Sequence, residues 1–331
     1  MAADASGEAD DDPDVDRPAD ADGVTDAPHP SFAGYAAEPV PQAAVGSPGK
    51  DGVLELRFAA TDRGTALVHD YATVPFHLSG TLGHDPHPDA ETVFVQSPTG
   101  GVAQGDRHDV TVTVGADAVA HVSTQSATKI QTMRANYAAA ETRLSVGPGG
   151  HLDYVPEPTI LHEGARYHAS LDLDLAPGAT AVVGEVLVPG RLARGERFDF
   201  ERCLSEVRAR GSGGLLFTDA THLAPGDDAA PPPDAPGVMG EFTVYGTLFV
   251  VAPDHDAPGE LSDRLHAAVA RTCATAPHGS RGGATALPNG AGVAVRALSD
   301  RAETVSAGLH AAWDEARREL RGAPAPSGRK L

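Results

Sequence analysis

Short segments in which apolar and polar residues alternate, separated by glycine and proline, constrain this chain more than any other feature. The alternation is clean in His108–Val114 and in Ser170–Leu175, and it recurs in Val53–Phe58 and Thr142–Val146. Alternation with β-branched residues is typical of strands that bury one face, and the Gly and Pro between segments are typical of turns. The sequence therefore predicts a mainly β protein.

A spacing of about 30 residues recurs between the ends of these segments. Val114, Val146 and Leu175 each end an alternating segment and are followed by a turn sequence, and they lie 32 and 29 residues apart. A repeat of this period predicts strand–turn–strand units stacked in a solenoid-like architecture. A β-sandwich built from hairpins is the alternative that the pattern leaves open.

Helical periodicity is found only late in the chain. Apolar residues follow Pro258 at helical spacing, and a second helix is predicted to end at Gly322, with Pro324 beyond it. Each helix has one apolar face, so both are expected to cover a sheet. The apolar positions are Leu261, Leu265, Ala268 and Val269 in the first helix, and Val305, Leu309, Ala312, Trp313, Ala316 and Leu320 in the second.

Composition divides the chain into a body and flanking segments. Residues 1–50 are rich in Asp, Pro and Ala, and such a segment is expected to be a disordered acidic tail. The β domain is expected at 51–322, with an exposed Pro-rich loop at about 224–237 and a short tail at 323–331.

Charge narrows the classes of partner. The chain has 25 Lys and Arg against 46 Asp and Glu, a net charge of −21. Such a surface repels a polyanion, so nucleic acid is excluded as a partner. Lys occurs only at Lys50, Lys129 and Lys330, and an acidic, Lys-poor surface suggests a salt-loving microbe.

Membrane insertion and secretion are also not expected. The chain contains no apolar run of membrane-spanning length, and its acidic first residues do not form a signal sequence. Cys203 and Cys273 form no metal-binding pattern, so they are expected to be buried thiols in a reducing cytoplasm.

Most familiar catalytic motifs are missing, including the P-loop and the G-x-S-x-G elbow. His84 and His87 could bind a metal, but their Pro-rich surroundings favour a solvated loop. The loop before Asp106 contains Gly100, Gly101 and Gly105, which indicates tight turns. Asp106 is then either a rigidly held functional carboxylate or an acceptor for turn amides.

Two further carboxylates lie in apolar strands. Glu185 is flanked by apolar residues on both faces, so it should be buried or face an internal channel, where a charge needs a partner or water. Asp219 follows an apolar segment in the same way. The candidate partners for Glu185 are the nearby arginines Arg191, Arg194 and Arg197.

An ordered set of motifs resembles the UreD family of urease accessory proteins, also called UreH. The first motif combines Pro98, Gly100, Gly101 and Gly105 with Asp106. The rest follow in order from about residue 50 to 322: Ala127–Lys129, Leu152–Ile160, Gly184–Glu185, Gly190–Phe198, Val293–Leu298, and the helix with Trp313 and Arg317. Each motif is weak alone, and the ordered set is specific.

The resemblance implies a largely β, solenoid-like stack with two helices and no enzymatic activity. It implies a cytoplasmic urease maturation factor that acts with UreF and the GTPase UreG to deliver nickel to apo-urease through an internal tunnel. Asp106, Glu185 and Asp219 would line the nickel path, with Thr128 and Lys129 in support. Nickel would pass through rather than stay as a cofactor.

Two other functions remain as alternatives. A β-solenoid enzyme acting on carbohydrate would use paired carboxylates such as Asp106 and Glu185. It would need a cleft lined with aromatic side chains, and only 5% of the residues are aromatic. A passive scaffold without a metal role would be distinguished by measuring nickel bound to the purified protein.

Overall fold

The computed structural model describes residues 27–40, 49–83, 85–98, 100–228, 230–276 and 279–327. Strands make up 45% of the structure and helices 17%, which confirms the predicted mainly β class. No helix within these ranges has the length and apolar character needed to cross a membrane.

Strands occupy most of the chain, and the two long helices lie in its last quarter. The strands are β1 Asp51–Thr61, β2 Gly64–Ala72, β3 His77–Leu82, β4 Ala90–Gln96, β5 Arg107–Val114, β6 Val119–Thr124, β7 Thr128–Ile130, β8 Ala138–Val146, β9 His151–Tyr154, β10 Thr159–Leu161, β11 Arg166–Leu175, β12 Thr180–Val188, β13 Arg202–Gly211, β14 Gly214–Leu223, β15 Val244–Val251, β16 Ser280–Ala286 and β17 Gly292–Ser299; the helices are α1 Ala33–Ala36, α2 Pro258–Ala274 and α3 Ala302–Arg321.

The strands wind into a β-solenoid of about four turns. In the first sheet, β1, β5, β8, β11 and β13 lie side by side and parallel. In the second sheet, β4, β6, β9 and β12 do the same. Because the chain crosses from the first sheet to the second once per turn, the predicted solenoid is confirmed and the hairpin sandwich is not formed.

The turns between the two sheets stack on one another. The Gly147 amide donates to the carbonyl of Val114 (2.8 Å), and the Ala176 amide donates to the carbonyl of Val146 (2.9 Å). Gly149 has a φ of +67°, and a Cβ there would collide with the carboxylate of Asp117 in the turn below. These contacts explain the 30-residue spacing, since each turn repeats the one before it.

The two long helices cover the outer face of the second sheet, as their apolar faces predict. Leu265 and Val269 of α2 and Leu309 of α3 are buried against Val182 and Val295 of the sheet. Helix α3 ends at Gly322, which has a φ of +68°, so the predicted end of the helix is confirmed. Both cysteines are free and buried, as expected.

The segment 27–40 differs from the disordered tail predicted for residues 1–50. Phe32 is fully buried against Tyr137 and Leu204, and Glu38 forms an ion pair with Arg166 (2.8 Å). The aromatic residue supplies apolar surface that the acidic composition of the tail as a whole conceals. Residues 1–26 and 41–48 of the predicted tail lie outside the described ranges.

The far end of the body also extends beyond its predicted boundary. Ala323 and Ala325 are buried, and Ala325 belongs to the cluster between the helices and the second sheet. Between β14 and β15, the predicted Pro-rich loop is formed by turns, without a helix or strand in its described residues.

Candidate functional site

A layer of polar side chains crosses the interior of the solenoid between two apolar clusters. Strand alternation explains it: on β12, Val183 belongs to one cluster and Leu187 to the other, and Glu185 lies between them on the same face. The neighbouring strands contribute polar residues at this level and two residues to either side of it: Thr247 lies opposite Glu185, Tyr154 opposite Val183 and Tyr245 opposite Leu187. The polar layer consists of Thr142, Tyr154, Tyr167, Glu185, Ser205, Asp219, Thr221, Tyr245, Thr247 and Arg296.

Glu185 is the carboxylate in the middle of this layer. Its carboxylate accepts a hydrogen bond from the Ser205 hydroxyl (2.9 Å). Burial is the main cause that raises the pKa of Glu185 to about 7; the hydrogen bond from Ser205 opposes the shift, and the charge of Asp219 adds to it. The carboxyl group can therefore take up or release a proton near neutral pH.

Asp219 lies where the polar layer reaches solvent. It forms an ion pair with Arg296 of β17, and the two side chains are 24% and 51% exposed. Because Asp219 acts electrostatically on Glu185, the structure brings these two sequence-predicted residues into one site. The prediction that a nearby arginine pairs with Glu185 is wrong: its hydrogen-bond partner is Ser205, and Arg191 pairs with Glu196.

Three tyrosines and three threonines complete the layer with neutral hydroxyl groups. Burial raises the pKa of Tyr154, Tyr167 and Tyr245, so all three remain protonated at neutral pH. The Thr247 hydroxyl donates to the oxygen of Tyr245 (2.5 Å), and Tyr154 bonds to Thr142. The interior therefore offers oxygen atoms with few fixed charges.

Substituting Glu185 by glutamine should change how stability depends on pH. The pKa of this carboxyl is raised on folding, so between pH 4.5 and about 7 the folded chain binds more protons than the unfolded chain, and stability falls as pH rises. Glu185→Gln has no carboxyl group to titrate, so its stability should not fall in this way. As the pH rises from 5 to 8, the free energy of unfolding of the variant should therefore gain about 3 kcal/mol relative to that of wild type. Urea unfolding at the two pH values measures the gain.

Glu141→Gln is the matched control for this prediction. Glu141 lies on β8 with an exposed side chain, paired with Arg143, so its substitution should leave the pH dependence close to that of wild type. Equal pH dependence in all three proteins would contradict a neutral, buried Glu185.

Asp106 lies apart from this layer, at the start of β5, and is held by backbone amides. One carboxylate oxygen accepts from Gly49 (3.1 Å) and Lys50 (2.9 Å), and the other from Ala103 (2.8 Å). Its side chain is buried, at 1% exposure for the residue. Of the two roles open to Asp106, the structure shows the acceptor for turn amides, and a nickel-binding role stays a prediction.

Asp106→Ala should therefore lower stability. The substitution leaves the amides of Gly49, Lys50 and Ala103, which are partly buried, without their acceptor, at an expected cost of about 2–4 kcal/mol in the free energy of unfolding. Asp109→Ala is the control, because Asp109 is 44% exposed and pairs with Arg143, and it should cost about 1 kcal/mol or less. Urea unfolding measures both values, and equal losses would contradict the bracing role.

The glycine-rich loop before Asp106 packs against the strand that carries Thr128 and Lys129. The Val102 amide donates to the carbonyl of Lys129 (2.8 Å). Gly101 has a φ of +129°, and a Cβ there would collide with that same carbonyl. The loop thus has a structural role, and the Lys129 side chain is exposed on β7 rather than part of the polar layer.

A buried charged cluster on the other face of the second sheet was missed by the sequence analysis. Arg317 of α3 forms a double hydrogen bond with Asp85 (2.8 and 2.9 Å) and lies 3.4 Å from Asp153, and none of these side chains is exposed. Trp313 donates to Asp153 (2.6 Å), which also pairs with His151 (3.2 Å). Burial alone would raise the pKa of Asp153, but the neighbouring His151 and Arg317 hold it well below its usual range.

At Asp85, this buried cluster is found where a solvated loop was predicted around His84 and His87. The Pro-rich sequence concealed the buried Asp85, and His84 lies outside the described residues. In the described part of the chain, including this cluster, no group of three or more His, Cys, Asp or Glu side chains is arranged to hold a metal ion.

Comparison with known proteins places this architecture in a family. Residues 50–330 match the family model described as UreD urease accessory protein. A urease accessory protein UreD from Haloarcula marismortui is 74% identical over 307 residues, which cover 93% of this chain and 99% of the relative.

More distant relatives carry the same description. A UreD from Natronomonas pharaonis is 45% identical, covering 91% of this chain and 98% of the relative, and one from Yersinia pseudotuberculosis is 36% identical, covering 90% and 91%. The match extends over nearly the whole body, including the polar layer and both long helices. The chain therefore belongs to the UreD family of urease accessory proteins.

Proposed function

We propose that this chain is a nickel-insertion chaperone for urease, without enzymatic activity of its own. It acts in the cytoplasm with UreF-like and UreG-like accessory proteins and delivers nickel to apo-urease. Nickel is a cargo that passes along the polar layer. The observation that supports the proposal is this layer of carboxylates and hydroxyls inside a chain of the UreD family.

The chemistry of the layer suits a conduit. Nickel binds imidazole and thiolate ligands tightly, so a path built from them would retain the ion. Carboxylate and hydroxyl oxygens bind more weakly, and a path needs sites that an ion can enter and leave. The layer places Glu185, Ser205 and Asp219 together, and its tyrosines remain neutral.

The two ends of the carboxylate pair have different tasks in this proposal. Asp219 is partly exposed beside Arg296, so it is the place where an ion first meets the layer. A divalent ion would displace the guanidinium of Arg296 as the partner of Asp219. Glu185 has a pKa of about 7, so it can exchange its proton for the ion at low cost.

Thr128 and Lys129 have a supporting role outside the layer. Both lie on β7, where the Thr128 amide donates to the carbonyl of Pro158 (3.0 Å) and the Lys129 side chain faces outward.

A highly acidic surface fits a high-salt cytoplasm, and two of the relatives above, from Haloarcula and Natronomonas, have UreD chains of similar sequence.

The carbohydrate-enzyme alternative finds no support in the geometry. A retaining or inverting glycosidase needs two carboxyl groups that face each other across a substrate. Asp106 is saturated by three backbone amides, and Glu185 lies inside the solenoid against Ser205. The two carboxylates therefore do not form a catalytic pair.

Co-purification from the source cells tests the proposed partners. An affinity-tagged full chain should bring down urease subunits together with a GTPase, both identified by mass spectrometry. Nickel bound to the purified chain should be lost on mild chelation, because the path holds it weakly. A chain that brings down neither partner contradicts the proposal, and a chain that binds no nickel in any complex supports a passive scaffold instead.

A further inference from the structure

A basic cleft opens on the surface at the end of β12. It has a volume of about 870 Å³. Its charged rim contains Lys129, Arg191, Arg194 and Arg301, beside Asp300 and Glu303. In a chain with a net charge of −21, this concentration of cations needs an explanation.

Three separate segments bring these cations together. Lys129 lies on β7, and Arg194 lies in the 3-10 turn Leu192–Arg194. Arg301 is the residue that directly precedes α3. All three side chains are exposed, and none forms an ion pair with the described residues. Arg191, in contrast, is paired with Glu196. Three unpaired cations therefore face the cleft.

Neither of the two acidic residues of the cleft forms an ion pair with Lys129, Arg194 or Arg301 among the described residues. Asp300 accepts from the Thr243 hydroxyl (2.8 Å) and lies 3.8 Å from Arg197, so it is already engaged. Glu303 lies in the first turn of α3, where the helix dipole stabilises a carboxylate. Burial is the main cause that lowers the pKa of His162. Lys129 and Arg194 lie close enough to His162 to contribute to this lowering.

The lining of the cleft is mostly apolar. The apolar lining includes Ile160, Val188, Leu192 and Ala302. An apolar lining with cations beside it matches a ligand that has an apolar side chain between carboxylates. A single inorganic oxyanion would fill a small part of this volume and leave the apolar lining uncovered.

We propose that this basic cleft is a docking site for an acidic peptide segment of a partner protein. Carboxylates of the segment pair with Lys129, Arg194 and Arg301, and an apolar side chain between them covers Ile160 and Val188. In a high-salt cytoplasm the Debye length is about 3 Å or less, so the acidic remainder of the surface is screened, and only carboxylates in direct contact with the cations of the cleft pair with them. The inference does not depend on nickel passage.

A binding assay on the full chain tests the proposal. The probe is a short fluorescein-labelled peptide in which glutamate alternates with leucine, and the readout is fluorescence anisotropy at several salt concentrations. We expect saturable binding that weakens with salt. The double substitution Arg194→Glu with Arg301→Glu should weaken the affinity by about tenfold or more, a loss of about 1.4 kcal/mol.

The control is a charge reversal elsewhere on the surface. Arg57→Glu with Arg63→Glu changes two exposed arginines of β1 and its turn by the same total charge, and this variant should bind the peptide nearly as well as wild type. Thermal unfolding verifies that both double variants are folded. If the variant with Arg194→Glu and Arg301→Glu is not folded, the single substitution Arg301→Gln is used in its place. The single neutralisation should then weaken binding by a smaller but measurable factor.

Three results would overturn the proposal. The first is equal affinity in wild type and the Arg194 and Arg301 double variant. The second is equal binding of a peptide in which serine replaces glutamate. The third is tighter binding of inorganic sulfate or of a single-stranded oligonucleotide, which would make the cleft a site for another class of anion.

Discussion

Arg317→Met should lower the free energy of unfolding by about 3–5 kcal/mol. The substitution removes the cation that faces Asp85 and Asp153, and both carboxylates are fully buried. Leaving a buried charge without its partner costs far more than losing a surface pair. Methionine fills a similar volume, so the loss measures charge rather than packing. Urea unfolding followed by circular dichroism gives the value.

Arg318→Met is the matched control on the same helix. Arg318 is 55% exposed and pairs with Asp314 one turn away, so its loss should cost about 0.5 kcal/mol. Adding Asp85→Asn to Arg317→Met should recover part of the lost stability, because it removes one of the unpaired charges. A loss in Arg317→Met no larger than in the Arg318 control would contradict the role of the cluster.

Glu185→Ala should lower urease activation by about tenfold or more while the chain remains folded and in its complex. The substitution removes the carboxylate in the middle of the polar layer and leaves Ser205 without its acceptor. Losing one oxygen ligand or its supporting partner commonly costs 10–100-fold in metal binding or activity. The measurement is urease activity in cells that produce the variant in place of the wild-type chain.

Glu141→Ala is the control for this effect. Glu141 is a carboxylate on the outward face of β8, and its removal should leave activation unchanged. Asp219→Ala should also lower activation, since Asp219 is the partly exposed carboxylate of the layer. Full activation with Glu185→Ala, in a chain shown to be folded, would contradict a nickel path through this residue.

The architecture was predictable because local sequence patterns indicate its strands, turns and helix ends. The alternation in His108–Val114 and Ser170–Leu175 places each strand, and the 30-residue spacing of the turns implies stacking. Gly322 ends α3 because a left-handed residue is needed there. The pattern did not decide between a solenoid and a sandwich. That choice depends on parallel pairing between strands about 30 residues apart, and such pairing leaves no local signal in the sequence.

The polar layer was predictable in part. Glu185 interrupts an apolar strand, and that interruption correctly indicated a carboxylate on the inner face of the strand, where it is at least partly buried. Its hydrogen-bond partner, Ser205, lies on another strand 20 residues away, and the sequence instead suggested the nearer arginines. Asp106 looked similar in sequence, yet its surroundings are backbone amides of a turn that only the folded loop creates.

The buried cluster around Arg317 could not be derived from sequence patterns. Its members come from a loop, a strand and a helix, and Asp85 and Arg317 are separated by 232 residues. Arg317 sits on the otherwise apolar face of α3, which is the one available signal, and no rule of spacing indicates its partner. The same holds for the basic cleft, whose cations come from three distant segments.

The nickel content of urease tests the proposed conduit most directly. Urease would be purified from cells that lack this chain, from cells with the wild-type chain, and from cells with the Glu185→Ala and Asp219→Ala double variant, and its metal measured by atomic spectrometry. We expect nickel-loaded urease only with the wild-type chain, although urease protein is made in all three. Fully loaded urease in cells with the double variant would contradict passage through the polar layer.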